Sequence, residues 1–312
     1  MARRNEDKVI RNNNKKAHAK IKAQNKRETG RPNARVSAAK ASKSADPKTA
    51  TPRASGHQLR NATLQYGLGG EHVEGFHAVE TLIEHGKRRV SQMFVDRETS
   101  STPEMAKLLY MAERKRIRVA TLSKEQFMGR ARTEAAQGVI AYCVEKKPKD
   151  IDDLLLNPKA FLIALDGVTD PRNIGAIVRS AEVAGATGVI LPKHRSGHLS
   201  PSATKSAAGA VEFMDFGLVP GIPTFLQKAN KAGVTVYGMA GEAKKSLYDL
   251  DKSGPASGPI VVVMGSEGKG LSALVRKRCD ELLKIPQVGK TESLNVSAAA
   301  AVTLMHLSHL RL

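Results

Sequence analysis

From residue 160 onward the chain carries four unbroken apolar runs: FLIALDGV (161–168), GVILP (188–192), VTVYGMA (234–240) and PIVVVMG (259–265). Each ends in a glycine or a polar turn, as strands buried on both faces of a largely parallel sheet do. Between them the apolar spacing lengthens to that of helices at 175–184, 223–232 and 271–278. The alternation predicts an α/β domain over residues 159–312. In such sheets the ligand site lies at the carboxyl ends of the strands.

Upstream the runs are shorter. They predict a helix over 78–85, a strand over 90–95, a helix over 103–115 and strands over 118–122 and 139–144. Pro103 would stand in the first turn, where a helix tolerates it. This is a small α/β domain over residues 71–145, followed by a charged, proline-containing linker at 146–158 that starts KKPKD. Residues 1–70 have almost nothing large and apolar to bury and read as a disordered basic arm.

Charge sharpens that division. The 312-residue chain has a formal net charge of +20, and residues 1–60 hold seventeen Lys or Arg against four Asp or Glu. An anionic partner is expected, nucleic acid ahead of membrane. The arm would attract RNA phosphates irrespective of sequence, or simply serve as a solubilising leader. Two cysteines, Cys143 and Cys279, lie far apart without a Cys or His at zinc-ligand spacing, so reduced thiols in a cytoplasmic protein and no metal are expected. No apolar run reaches the ~20 residues of a membrane span.

Three stretches combine small residues with a few functional groups: NIGAIVRSA (173–181), MGSEGKG (264–270) and ESLNVSAAAA (292–301). GSEGKG offers a glycine turn with free backbone N–H groups, but its spacing is not that of a triphosphatase phosphate loop, and GVTDPRNIG after FLIALD is not a dinucleotide fingerprint. Taken singly, Asn173 reads as an N-cap, Arg179 as an exposed helix residue, Glu267 as a turn carboxylate, and Ser293 and Asn295 as helix caps. No Ser-His-acid or Cys-His set stands out, so chemistry without a covalent nucleophile fits better.

Together, NIGAIVRSA, VVVMGSEGKGLS (261–272) and IPQVGKTESLNVSAAAAV (285–302) resemble the three signature motifs of the SpoU, or TrmH, family of RNA ribose 2′-O-methyltransferases, within the SPOUT superfamily. The segment from EGFHAVETLI to QGVIAY resembles the small substrate-binding domain of the members that methylate large-subunit rRNA, a domain related to RNA-binding ribosomal proteins. The resemblance implies a homodimer whose C-terminal segment forms a deep trefoil knot, an exception to unknotted chains. It further implies a knot pocket for S-adenosylmethionine (SAM), with Leu191, Gly241, Gly265, Ile285 and Leu294 at cofactor positions. Asn173, Arg179, Glu267, Ser293 and Asn295 match the catalytic set.

The implied activity is SAM-dependent methylation of a ribose 2′-hydroxyl, with a guanosine of 23S rRNA as substrate. A 2′-hydroxyl restricts the substrate to RNA. A guanidinium is a poor proton acceptor, so Arg179 is expected to orient RNA and stabilise charge on the 2′ oxygen. Phe76 and His77 could stack on an unpaired base, with core packing the alternative for Phe76. The competing readings are a tRNA ribose methyltransferase and a catalytically silent RNA-binding or ribosome-assembly factor.

Overall fold

The computed structural model describes residues 67–194, 198–290 and 293–312. The expected arm, up to residue 66, and Glu292 of the third stretch lie outside the described residues.

The first part interleaves strands β1 (His72–Glu74), β2 (Val90–Asp96), β3 (Arg118–Leu122) and β4 (Val139–Cys143) with helices α1 (Phe76–Glu84), α2 (Pro103–Arg114) and α3 (Lys124–Met128). The strands form one sheet in the order β1-β4-β2-β3, with β2 and β3 parallel and the other pairs antiparallel. Val79, Leu82 and Ile83 of α1 and Met105 and Leu108 of α2 pack with Met93 and Val95 of β2. Pro103 stands in the first turn of α2, behind a Thr102 side chain that accepts from Met105 N at 3.3 Å. Helix α3 went unseen in sequence because five residues carry no readable period. A reciprocal capping box between Ser123 and Gln126 holds it instead.

The second part contains α4 (Ile151–Leu155), β5 (Phe161–Asp166), α5 (Pro171–Val183), β6 (Gly188–Pro192), α6 (Pro201–Ser206), β7 (Phe216–Val219) and α7 (Ile222–Lys231). It continues through β8 (Thr235–Met239), β9 (Lys245–Ser246), β10 (Ile260–Gly265), α8 (Ala273–Arg276), β11 (Glu281–Lys284) and α9 (Val296–Arg311). Seven strands form an all-parallel sheet in the order β7-β6-β5-β10-β8-β11-β9. The central strands are buried on both faces, as their unbroken apolar runs require. In β5 and β10, Phe161, Ile163, Leu165, Ile260, Val262 and Met264 face the layer of α5 and α9, while Leu162, Ala164, Val261 and Val263 face that of α7.

Three expectations change. The ordered chain begins earlier than residue 71: Leu68 is fully buried, its carbonyl accepts from Leu199 N at 2.9 Å, and one apolar residue in a polar stretch gives no periodic signal. The expected linker at 146–158 contains α4, capped by Asp150 and burying Leu154 and Leu155. Lys146 there directs its ammonium onto the carbonyls of Val211 and Glu212 at 2.7 and 3.3 Å, so its charge is met by backbone. The helix expected over 271–278 shrinks to α8, because Ser272 N is drawn to Asp166 Oδ2 at 2.7 Å and Asp280 Oδ2 accepts from Val236 N at 2.8 Å.

The two sheets are joined by a buried ion pair between Arg88, ahead of β2, and Glu212, beside β7, with side chains 8% and 3% exposed. Arg88 also donates to the carbonyls of Gly70 and Val144. So paired, the two charges have their desolvation offset, and removing one would leave the other uncompensated.

Candidate active site

The site is assembled at the carboxyl ends of β5, β8, β10 and β11. After β5 the chain enters α5 through Asp170, whose side chain accepts from Arg172 N at 2.8 Å, with Pro171 at the first helical position. Asp170 therefore takes the N-cap role considered for Asn173. Asn173 sits in the first turn, 9% exposed, and is free to use its amide elsewhere.

After β10 the chain reverses within Ser266–Gly270, closed by Gly270 N to Ser266 O at 2.9 Å and Ser266 N to Gly270 O at 3.2 Å. A Cβ on Gly265 would lie 2.3 Å from the carbonyl carbon of Gly270, so only glycine lets the loop fold back this closely. The loop presents Glu267. Asn173 Nδ2 donates to Glu267 Oε1 at 2.9 Å, Asn295 Nδ2 donates to the same oxygen at 2.8 Å, and Asn295 Nδ2 also approaches Asn173 Oδ1 at 3.1 Å. Residues from three distant stretches thus close one triangle. Glu267 Oε2 has no hydrogen bond among the described residues.

Asn295 is also the N-cap of α9. Its Oδ1 accepts from Ser297 N at 2.8 Å and from Ala298 N at 3.4 Å. Capping and site geometry are shared between the two ends of one amide. Behind the cap, Ala300 is buried where α9 packs in the core with Ile174 and Ile177 of α5.

Beside the triangle opens a cavity of about 680 Å³, lined by Gly241, Gly265, Glu267, Ile285, Ser293, Leu294 and Asn295 among others. Four of the five expected cofactor positions line it. Leu191 does not: it lies on β6, separated from β10 by β5, and is fully buried in the core against α5. Ser293 lines the cavity without a hydrogen bond among the described residues.

Arg179 is not brought to the cavity. Six residues beyond Asn173, it is turned about 120° around the helix, and it is exposed without an ion pair or hydrogen bond among the described residues. Residues not anticipated include Met239, Met264 and Leu283 on the apolar wall and Glu242, which forms an ion pair with Arg276 across the lining. Glu242 was legible in principle, since it follows Gly241 just beyond β8.

The cavity suits SAM on three observations. Its volume falls in the range of ligand sites. A Cβ on Gly241 would meet nothing within 4 Å, so that wall is left open by the lack of a side chain. Apolar Met239, Met264, Leu283 and Ile285 lie beside a mixed polar lining, Glu242 paired with Arg276 together with Glu267, Lys269 and Lys284, as suits a ligand with both apolar and charged parts. Neither thiol is an available nucleophile: burial pushes Cys143 up to about 11 and Cys279 up to about 12. Among the described residues no His, Cys, Asp or Glu cluster could hold a metal ion, and no helix is long and apolar enough to cross a membrane.

The chain matches the sequence model of the SpoU rRNA Methylase family over residues 160–305 and that of RNA 2′-O ribose methyltransferase substrate binding over 72–149. It is 38% identical over 242 residues to a 23S rRNA (guanosine-2′-O-)-methyltransferase, RlmB, of Pseudomonas putida, covering 75% of this chain and 94% of the relative. The Haemophilus influenzae protein of the same name is 36% identical over 249 residues, 78% of this chain and 98% of that one. Among solved structures, the SpoU methyltransferase AviRb from Streptomyces viridochromogenes in complex with AdoMet has a TM-score of 0.65 at 24% identity, covering 83% of this chain and 94% of that one. At that identity the likeness speaks for the fold alone.

Proposed function

The chain belongs to the SpoU rRNA methylase family, and on that premise we propose that it methylates the ribose 2′-hydroxyl of a guanosine in 23S rRNA, using SAM, in the cytoplasm. The observation that carries the reading is the Asn173–Glu267–Asn295 triangle at the edge of the cavity. A silent RNA-binding factor would not need two amides converging on one carboxylate oxygen beside a ligand-sized cavity.

When bound, SAM supplies the electrophilic methyl group. The chain's task is to align a ribose hydroxyl for in-line displacement and receive its proton. With Oε1 of Glu267 held by two amide donors, Oε2 is left as the acceptor that would hydrogen-bond the 2′-hydroxyl and orient its lone pair. Ser293, exposed on the lining, would hydrogen-bond the ribose. The two asparagines keep the carboxylate from rotating, so alignment is set before RNA arrives.

Arg179 would act from a second copy of the chain. It shares one strip of α5 with the 65%-exposed Val183, four residues on, and Val302 and Met305 of α9 are likewise exposed at 37% and 49%. An apolar face carrying an unpaired guanidinium suits a two-fold interface. Across it, each Arg179 would grip RNA phosphate at the partner's site. The segment between β11 and α9 would thread the expected knot, with Ala298–Ala301 allowing close passage.

Incubating the protein with labelled SAM and either protein-free 23S rRNA or tRNA, then mapping the methylated ribose, tests the proposal. Label on a 23S rRNA guanosine is expected. Label in neither RNA would refute the enzymatic reading, and label only in tRNA would refute the ribosomal one.

A further inference from the structure

A second cavity, of about 570 Å³, opens in the first sheet at the amino ends of β2 and β3 and shares no residue with the cofactor cavity. Its lining includes Arg88, Arg89, Ser91, Lys115, Arg116 and Arg118, and not one carboxylate. With Arg88 neutralised by Glu212, the other four cations around this concavity, with no acid among the lining, raise a local positive potential that low-dielectric walls focus.

These cations divide into two groups. Arg88 is committed to Glu212 and two carbonyls, and Lys115 closes the end of α1 by donating to the carbonyls of Ile83 and Glu84. They build the wall. Arg89, Arg116 and Arg118 are exposed, and their guanidinium groups make no hydrogen bond or ion pair among the described residues. Each keeps five donors for a ligand. A bulge at the start of β2, where the register with β4 shifts between Val90 and Gln92, sets Ser91 on the lining among them.

Arg116 is held there against its backbone preference. Helix α2 ends in a Schellman arrangement, with Ile117 N to Ala112 O at 2.9 Å and Arg116 N to Glu113 O at 2.8 Å. That geometry requires a left-handed residue, and Arg116 adopts φ 54° where glycine is the ordinary occupant. The position thus carries a guanidinium at the rim of the cavity where a glycine would relieve the backbone.

We infer that the cavity at the amino ends of β2 and β3 binds the phosphate backbone of the substrate RNA through Arg89, Arg116 and Arg118. RNA fits better than a small anion because the three free guanidiniums stand on two separate chain segments, the approach to β2 and the α2–β3 turn, around an open concavity, so they match successive phosphates rather than one. Arg88 joins the cavity wall to Glu212 on the catalytic side, so RNA gripped here is held in fixed relation to the cofactor cavity. The inference rests on the RNA-binding part of the proposed function and adds to it where the backbone is held.

The test measures affinity of the full chain for a 23S rRNA fragment across a salt series, by fluorescence anisotropy, with SAM affinity followed by calorimetry. The triple variant Arg89→Ala, Arg116→Ala, Arg118→Ala should bind RNA more weakly and lower the salt slope by roughly 2, at about 0.7 per lost contact on single-stranded RNA. SAM affinity should be unchanged. Arg116→Gly alone should raise Tm, because the backbone strain is relieved, while weakening RNA binding; a merely structural residue could not produce both. An unchanged salt slope, or full RNA affinity in Arg116→Gly, overturns the inference. So does a thermal shift by inorganic phosphate that Arg118→Ala abolishes while RNA affinity stays intact, which would make this a small-anion pocket. RNA affinity is read without methyl transfer, so a protein that binds RNA through these residues but transfers no label would sink the enzymatic reading alone.

Discussion

Asn295 holds α9 with its oxygen and the Glu267 carboxylate with its nitrogen, so two substitutions should separate the roles. Asn295→Ala removes both. Losing the cap costs about 1 kcal/mol, which lowers Tm by roughly 2–4 °C in a chain of this size. Losing a hydrogen bond to a charged group costs about 1.5–3 kcal/mol, or roughly a 10- to 150-fold fall in single-turnover methyl transfer. Asn295→Asp keeps an oxygen for Ser297 N and Ala298 N and suits the positive end of the α9 dipole. It also puts a second carboxylate where an amide nitrogen stood 2.8 Å from Glu267 Oε1.

Like charges that close raise the pKa of one member in the folded state. The native state then binds more protons than the unfolded one, so its stability rises as pH falls. The Tm deficit of Asn295→Asp should therefore close between about pH 8 and pH 5, while that of Asn295→Ala stays constant. Protonation also restores a donor toward Glu267, so the turnover of the Asp variant relative to wild type should climb over the same range. Thermal unfolding and labelled-SAM transfer at several pH values read both quantities. Equal, pH-independent Tm losses in the two variants, or full activity in either, would refute the shared-amide argument.

In the proposed dimer, mixing Arg179→Ala with Glu267→Ala, each expected to be inactive alone, should recover about a quarter of wild-type activity after subunit exchange, since half the dimers would be hybrid and each hybrid would have one intact site; no recovery would return Arg179 to its own chain's site. Gly265→Ala, whose Cβ would lie 2.4 Å from Leu271 N, should lower both Tm and SAM affinity, whereas Gly241→Ala, which meets nothing within 4 Å, should lower SAM affinity alone; calorimetry and thermal unfolding distinguish them. Cys143 and Cys279, pushed by burial up to about 11 and about 12, should react with iodoacetamide at pH 8 far more slowly than in the denatured chain. Since the folded thiols keep their protons longer than unfolded ones, stability should fall as pH rises from about 9 toward those values, checked by denaturant titration.

Elements with an extended apolar signature were legible in sequence: β5, β6, β8 and β10 as runs buried on both faces, α2 through its period and its proline. Asn173, Glu267 and Asn295, like Arg179 and Ser293, read singly as caps, a turn carboxylate or an exposed helix residue, and became a candidate catalytic set only through the resemblance of the three motifs to a known family. Short elements without such a run or period were not legible. α6, β7, β9 and β11 owe their form to neighbours in space, and Leu68 is apolar in a stretch with no period. Which asparagine caps which helix depended on Asp170, three residues ahead of Asn173, taking the first cap. The face of α5 that carries Arg179 follows from helical geometry, but only once Asn173 is known to point inward.

The sheet order also bears on synthesis. Strand β10 lies between β5 and β8, so Phe161 pairs with Ile260, a residue the ribosome delivers much later. Until then β5, β6 and β7 can form only half a sheet, with the apolar edge of β5 open to wrong partners. Sequence-distant parallel pairing is slow and exposed to aggregation. The emerging chain should therefore need shielding along FLIALD until β10 emerges and fills the gap.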